Sequence, residues 1–236
     1  MKEKEIPEIL LIDKPRGITS FDVIRALRKQ LGVDRTSKEW RMGHAGTLDP
    51  NATGLMIIGI AGGTKKLNEY LKLPKTYEAE ILLGVRTDTG DVDGSVLEEI
   101  DVSGVSDESI REAVRSIEGT QTFRVPMYSA IKVKGKPLYA YAREGKKDMA
   151  PEKEMRVDRA EIQRIVRDEG KIIISAVFDV GSGTYIRTLA EKMGEYLGLP
   201  ATLQNLRRTR IGTFTLKDVI SLDESPWKNG DIVTGK

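Results

Sequence analysis

Strand-like and helix-like patterns are mixed along this 236-residue chain without strict alternation. Residues 8–15 (EILLIDKP) and 54–60 (GLMIIGI) have the apolar runs of short buried strands, whereas 76–84 (TYEAEILLG) alternates apolar and polar positions. Helical spacing recurs in 17–32 and 183–198. Because a doubly wound fold needs regular alternation of strand and helix, this mixture predicts an α+β fold.

Two further segments refine this expectation. Residues 160–180 predict two strands joined by a turn near Glu169 and Gly170. Residues 126–156 are basic, tyrosine-rich and interrupted by glycine and proline, so they predict a mobile insertion outside the core.

The chain contains no cysteine and a single histidine, His44. Thiolate catalysis, disulfides, cysteine–zinc sites and multi-histidine metal sites are therefore excluded. No nucleophile-elbow motif accompanies His44, so a covalent nucleophile would be Asp, Glu, Lys, Ser or Thr.

The formal net charge of +2 is unevenly distributed. Residues 1–75 carry 14 basic and 9 acidic residues, and 121–149 carry 7 and 2, whereas 78–118 carry 3 and 12. This pattern fits a polyanion-binding face opposite an acidic one, and it equally fits ordinary solvated surfaces.

Two segments resemble ligand-binding motifs, but their residues do not have the spacing that these motifs require. Residues 87–94 (TDTGDVDG) resemble a calcium loop, but Thr89 and Ile100 would occupy its first and last positions, so an acidic turn between strands fits better. Residues 59–66 (GIAGGTKK) lack the spacing of a phosphate-binding P-loop.

His44 and Asp49 share a glycine-rich loop, GHAGTLDPNATGLM, at 43–56. Together with DKPRGITS (13–20), KTYEAEILLGVRTDTGDVDG (75–94), PMYSAIKVKGKPLYAYAREG (126–145) and GTYIRTLAEKMGEYLG (183–198), this loop resembles the TruB family, the bacterial tRNA pseudouridine-55 synthases. The resemblance extends from about residue 8 to residue 222. It implies the pseudouridine synthase fold: a mixed, mostly antiparallel sheet flanked by helices, with 126–156 as a basic, thumb-like insertion.

The resemblance also implies an activity. The family isomerises one uridine of the tRNA T-loop to pseudouridine: the N-glycosidic bond breaks, the uracil turns, and a C–C bond forms. We therefore expect no cofactor and no metal.

Three catalytic residues follow from the resemblance. Asp49 matches the essential aspartate, acting either as a nucleophile or by stabilising positive charge and moving a proton. Arg187 matches the arginine that pairs with it, and Tyr77 matches the tyrosine that stacks on the target base.

Further matches concern substrate binding. Tyr185 and Leu206 are expected at the pocket, and His44 either fills the stack that the flipped uridine leaves or only hydrogen-bonds its own loop. The residues expected to meet phosphates are Lys14, Arg16, Arg41, Lys132, Lys134, Lys136, Arg143, Lys146 and Lys147.

The same reasoning gives expectations for organisation and partners. We expect a catalytic domain over 1–222, a short tail over 223–236, and no C-terminal RNA-binding domain of the PUA type. The charged start and the lack of any apolar run near ~20 residues predict a cytoplasmic protein that does not enter membranes. The expected partner is the T-arm of tRNA; no protein partner is evident, and we expect a monomer. The alternative function is a tRNA-binding or tRNA-folding chaperone.

Overall fold

The computed structural model describes residues 6–34, 36–146 and 149–222. The strands, in chain order, are β1 (Ile9–Lys14), β2 (Met42–His44), β3 (Thr53–Ile60), β4 (Lys75–Leu83), β5 (Val85–Thr87), β6 (Val96–Glu99), β7 (Gly119–Arg124), β8 (Lys132–Val133), β9 (Lys136–Pro137), β10 (Glu152–Asp168), β11 (Lys171–Val180), β12 (Ala201–Ile211), β13 (Phe214–Thr215) and β14 (Ile220–Ser221). The α-helices are α1 (Ser20–Gln30), α2 (Leu67–Lys72), α3 (Asp107–Ser116), α4 (Leu138–Arg143) and α5 (Ile186–Leu197). This mixture of elements confirms the predicted α+β class.

The described residues form two compact units. The first unit contains those up to Thr76 and those from Arg207 onward, and the second unit contains those of Tyr77–Leu206. The expected catalytic domain over 1–222 stays a prediction, and the expected tail over 223–236 lies outside the described residues.

The sheet of the first unit is built around β3. Strand β1 pairs antiparallel with one edge of β3 and parallel with β14. Strand β2 pairs antiparallel with the C-terminal half of β3. The C-terminal part of β12 pairs parallel with the first residues of β3, where Arg208 lies opposite Gly54. This pairing places the loop before β3 next to the end of β12.

Helix α1 lies within residues 17–32, where the sequence predicts helical spacing, and it begins with a capping box. Thr19 and Asp22 form a capping box, in which each side chain bonds the other residue's backbone N–H. The helix buries Val23, Ile24 and Leu27, which share one face.

The second unit is a mostly antiparallel sheet in the order β12, β4, β11, β10, β7. Strands β10 and β11 form a hairpin whose turn is Glu169–Gly170, with φ of 44° and 78°, as predicted. Alternate residues of β11 are buried, and α3 packs against α5. Strands β5 and β6 form a separate ribbon around the acidic turn that resembles a calcium loop.

The predicted insertion is shorter than expected at its end. Residues 152–156 belong to β10 and pair with β7, with Met155 buried. Glu152, Glu154 and Arg156 are exposed, and they alternate with half-buried Lys153 and buried Met155, so the charged residues mask the start of this strand.

Candidate functional site

Asp49 lies in the turn between β2 and β3, and residues 46–55 are called the Asp49 loop below. The Asp49 side chain is half-buried. Its carbonyl accepts a bond of 3.1 Å from the N–H of Ala52, which closes a four-residue turn with Pro50 at the second position. Proline also restricts the backbone of the residue before it, so this sequence fixes the local direction of Asp49.

Lys14 lies beneath this loop and is fully buried. Its ammonium donates to the carbonyl oxygens of Pro15 (2.9 Å), Pro50 (3.0 Å) and Ala52 (2.6 Å). Burial lowers the pKa of Lys14 from 10.5 to about 8, and the negative charge of Asp49 limits the drop. The Lys14 ammonium therefore stabilises the loop backbone, because its three N–H groups donate to carbonyl oxygens.

This placement does not fit the expectation that Lys14 meets phosphate. The burial pattern of β1 shows why: Leu10, Ile12 and Lys14 alternate onto the same buried face. The alternation in ILLIDK already places Lys14 on the buried face of the strand. The expectation that Lys14 is an exposed basic residue did not take this alternation into account.

Ser20, the first residue of α1, holds the middle of the Asp49 loop. Its hydroxyl accepts from the N–H of Leu48 (2.8 Å) and donates to the carbonyl of the same residue (3.0 Å). Nearby, the N–H of Gly17 donates to Pro50 at 2.9 Å. Ser20 was not predicted as a site residue, because a serine next to a helix N-cap is typical of the helix start itself.

Arg208 reaches the two ends of the Asp49 loop. It is 1 % exposed, and it donates to the carbonyls of Leu55 (2.8 Å) and Gly46 (3.1 Å). Gly54 has φ of 105°, and a Cβ at this position would lie 2.8 Å from the backbone nitrogen of Arg208. The close approach of the two backbones therefore requires glycine.

His44 ends β2 and pairs with Ile58, so it lies on a strand at the entrance to the Asp49 loop. It is half-buried, and its buried Nδ1 has no hydrogen-bond partner among the described residues. Burial lowers the pKa of His44, and the positive charge of Arg208 lowers it further. The imidazole is therefore neutral at pH 7, which suits contact with a base.

In the second unit, Arg187 lies in the first turn of α5 and is 4 % exposed. Its guanidinium donates to the carbonyls of Thr89 (2.9 Å) and Tyr128 (2.8 Å), and its Nε lies 3.7 Å from a carboxylate oxygen of Asp91. The acidic turn that fails as a calcium loop therefore holds this arginine. This role of the turn was not predicted, because Thr89 and Arg187 lie 98 residues apart in the chain.

Glu191 lies one helical turn after Arg187, next to the same acidic turn. Burial raises the pKa of Glu191, and the charge of Arg187 opposes that rise. A Cβ on Gly90 would come within 2.8 Å of the Glu191 carboxylate, so the turn and the helix pack closely here. Glu191 was not among the functional residues predicted from the sequence.

Three other expected residues also lie in the second unit. Tyr77 is 8 % exposed, on the buried face of β4. Tyr185 is the half-buried residue that precedes α5, and Leu206 is half-buried in β12. Asp49 and His44 thus belong to the first unit, whereas Tyr77, Tyr185, Arg187 and Leu206 belong to the second.

The expected phosphate-binding residues fall into different environments. Arg16, Arg41, Lys132, Lys134 and Arg143 are exposed, and Lys147 lies outside the described residues. The ammonium groups of Lys136 and Lys146 both donate to the carboxylate of Glu144, and the Lys146 bond is 3.3 Å long. Within the insertion, Arg143 also lies 5.5 Å from the centre of the Tyr139 ring.

The mixed, mostly antiparallel sheet is consistent with the class of pseudouridine synthases. A family model described as the N-terminal domain of TruB family pseudouridylate synthase matches residues 30–186. A second, the C-terminal domain of tRNA pseudouridylate synthase B, matches 187–225. The chain belongs to the TruB family.

Named relatives agree with this assignment. A tRNA pseudouridine synthase B of Mycobacterium sp. (strain KMS) is 42 % identical over 91 % of this chain and 70 % of its own length. Those of Bacillus licheniformis and Endomicrobium trichonymphae are 40 % and 38 % identical, over 92 % and 93 % of this chain and 69 % and 91 % of their own lengths.

Solved structures confirm the predicted fold. A chain in the crystal structure of a Cbf5–Nop10–Gar1 complex matches with a TM-score of 0.66 and 26 % identity over 91 % of this chain. A chain in an archaeal box H/ACA sRNP Nop10–Cbf5 complex matches with a TM-score of 0.61 at 23 % identity, over 95 % of this chain. This protein spans 52 % and 56 % of those two chains.

The structure also bears on membranes. Among the residues that it describes, no helix has both the length and the apolar character needed to span a bilayer.

Proposed function

We propose that this protein isomerises a uridine of tRNA to pseudouridine and that its target is the T-loop uridine at position 55. Relatives of about 40 % identity that are named tRNA pseudouridine synthase B support the substrate class. The observation that carries the proposal is the Asp49 loop, in which hydrogen bonds from Lys14, Ser20 and Arg208 hold the backbone on both sides of the aspartate. A reaction that needs one carboxylate at one atom of the substrate benefits from such fixed geometry.

In this proposal Asp49 is the catalytic carboxylate. The bond from uracil N1 to ribose C1′ breaks, C5 bonds to C1′, and the proton on C5 is lost while N1 gains one, so the product is an isomer. Asp49 attacks as a nucleophile or stabilises the positive charge that develops when the glycosidic bond breaks. Both roles require the ionised form.

Arg187 and Tyr77 complete the proposed catalytic set. The resemblance pairs the Arg187 guanidinium with the Asp49 carboxylate, a pairing that favours the ionised acid. Burial of Arg187 against Thr89 and Tyr128 limits the orientations that its guanidinium can adopt. Tyr77 stacks on the target base and takes part in proton transfer at C5, and Tyr185 and Leu206 line the pocket.

In this proposal His44 contacts the RNA at the stack that the flipped uridine leaves. A uridine in a folded T-loop must leave its stack, which costs a few kcal/mol. A neutral, partly apolar ring compensates for the lost stacking, and the lowered pKa of His44 supports that role. His44 does not move a proton in the reaction, so its replacement lowers activity less than the loss of Asp49.

Exposed basic residues supply the remaining RNA contacts. We assign phosphate contacts to Arg16, Arg41, Lys132, Lys134 and Arg143, all of which are exposed. Lys14 is left out of this set because it is buried beneath the Asp49 loop. We further propose that the protein works in the cytoplasm and that it acts as a monomer; sedimentation with and without tRNA tests the oligomeric state directly.

The decisive experiment maps pseudouridine on an unmodified tRNA transcript after incubation with wild type, Asp49→Asn and Asp101→Asn. The last is a matched control, because Asp101 is an exposed aspartate of the second unit whose carboxylate accepts hydrogen bonds from Ser103, two residues away. We expect product at the T-loop uridine from wild type and the control and none from Asp49→Asn. RNA binding without product from any of the three proteins would favour the chaperone alternative, and product from Asp49→Asn would remove Asp49 from the mechanism.

A further inference from the structure

Arg208 is a buried cation that the proposed reaction does not use directly. It lies in β12 at 1 % exposure, opposite Gly54 of β3. Burying a charge is unfavourable unless hydrogen bonds replace its water. Arg208 obtains them from two backbone carbonyls, those of Leu55 and Gly46. A buried aliphatic residue would fill this place without the desolvation cost, so the charge and shape of the guanidinium have a use here.

The two carbonyls belong to opposite ends of the Asp49 loop. Arg208 Nε bonds Leu55, just after the loop has entered β3, and Nη2 bonds Gly46, three residues before Asp49. One rigid, planar group therefore fixes the distance between the two ends. Lysine cannot do the same, because its ammonium is a single point at the end of a flexible stem.

The glycines of the loop fit closely around this arginine. A Cβ on Gly46 would lie 3.3 Å from Arg208 Nη1, and one on Gly54 would overlap the Arg208 backbone. Both glycines have positive φ, of 100° and 105°. The close packing of Arg208 and the positive φ together account for glycine at both positions.

We propose that Arg208 is a positioning residue that sets the geometry of Asp49 by clamping both ends of its loop. The proposal rests on the assignment of Asp49 as the catalytic carboxylate. Arg208 touches no substrate in this scheme, so its loss reduces the rate of the chemical step and leaves RNA affinity largely intact.

The test compares Arg208→Met, Arg208→Lys and the matched control Arg210→Gln. Arg210 lies two residues further along β12, and its guanidinium donates to the Thr76 hydroxyl (2.8 Å) and the Gly212 carbonyl (3.3 Å), both outside residues 46–55. For each protein we would measure the single-turnover rate at saturating tRNA, the tRNA dissociation constant, and hydrogen exchange of the backbone amides in residues 46–55 without RNA.

We expect Arg208→Met to lower the single-turnover rate about 100-fold, the loss that a displacement near 1 Å produces, with affinity changed less than about threefold. The rate of Arg208→Lys should fall between those of Arg208→Met and wild type, and the amides of residues 46–55 should exchange faster in both variants, whereas Arg210→Gln should match wild type. If Arg208→Met does not fold, the amide exchange and single-turnover rate of Arg208→Lys test the proposal.

The proposal is overturned by a folded variant whose amides in residues 46–55 exchange as in wild type. It is also overturned by a variant that loses only RNA affinity. If wild type itself makes no pseudouridine, the proposed function fails, while the exchange data still decide whether Arg208 clamps the loop.

Discussion

The ammonium of Lys14 lies 2.6 Å from the carbonyl oxygen of Ala52, in the buried interior beneath the Asp49 loop. A lysine of the conspicuous DKPRG stretch thus serves the backbone of a loop 38 residues away along the chain. Its two other carbonyl partners, in Pro15 and Pro50, make it a fixed bridge between the end of β1 and the turn that carries Asp49.

Lys14→Met should flatten the alkaline pH dependence of stability. The folded-state pKa of Lys14 is lowered to about 8 by burial, whereas the unfolded chain keeps a value near 10.5. Between these values the unfolded state binds more protons, so the free energy of unfolding of wild type rises with pH, by up to about 3 kcal/mol from this group. Urea unfolding of both proteins from pH 7.5 to pH 10.5 measures the difference. Parallel pH curves for the two proteins would contradict the lowered pKa.

Ser20→Ala should cost more activity than stability alone explains. The change removes both hydrogen bonds to Leu48 and leaves a buried N–H and C=O unpaired, for a loss of about 1–3 kcal/mol in unfolding free energy. It also loosens the residue next to Asp49, so the turnover rate should fall. Thr19→Ala is the matched control, because it removes the cap of the same helix without touching Leu48. Equal activity of the two variants at temperatures well below unfolding would show that Ser20 is only structural.

His44 should titrate below its ordinary range. Burial and the charge of Arg208 lower its pKa from 6.5, so the unfolded state binds more protons as the pH falls below 6.5 and the contribution of this group to stability is lost there. Because His44 is the only histidine, its ring protons give one unambiguous NMR titration in the protein without added tags. We expect a midpoint below 6.5 in wild type and a higher one in Arg208→Met. A midpoint at or above 6.5 in wild type would show that the ring is solvated.

Glu144→Gln should tighten RNA binding. Glu144 is exposed and bonds both Lys136 and Lys146, which hold its pKa below the ordinary value. Neutralising it releases two lysines to phosphates, so the dissociation constant for tRNA should fall a few-fold and its dependence on salt should steepen. Glu98→Gln, which breaks the exposed pair with Arg86 in the β5–β6 ribbon, is the control. Unchanged affinity and salt slope in Glu144→Gln would place these lysines away from the RNA.

Local sequence predicts much of the architecture. The capping box of α1, the Glu169–Gly170 turn and the alternating strands β4 and β11 follow from spacing and turn chemistry that act within a few residues. The length of β10 was underestimated because the charged residues of Glu152–Arg156 obscure its alternation, and pairing with β7 stabilises it from more than 25 residues away.

The sequence by itself determined the family, the α+β class and the identity of the loop that carries Asp49, because long ordered motifs and short-range turn chemistry are both written in neighbouring residues. Only the tertiary structure decided how that loop is held. Lys14, Ser20 and Arg208 come from β1, α1 and β12, and they act on it through backbone carbonyls and N–H groups. Every residue presents the same carbonyl, so the sequence of the loop contains no sign of its partners. Those partners become evident once the chain has folded and the burial of two cations shows where their charges are compensated.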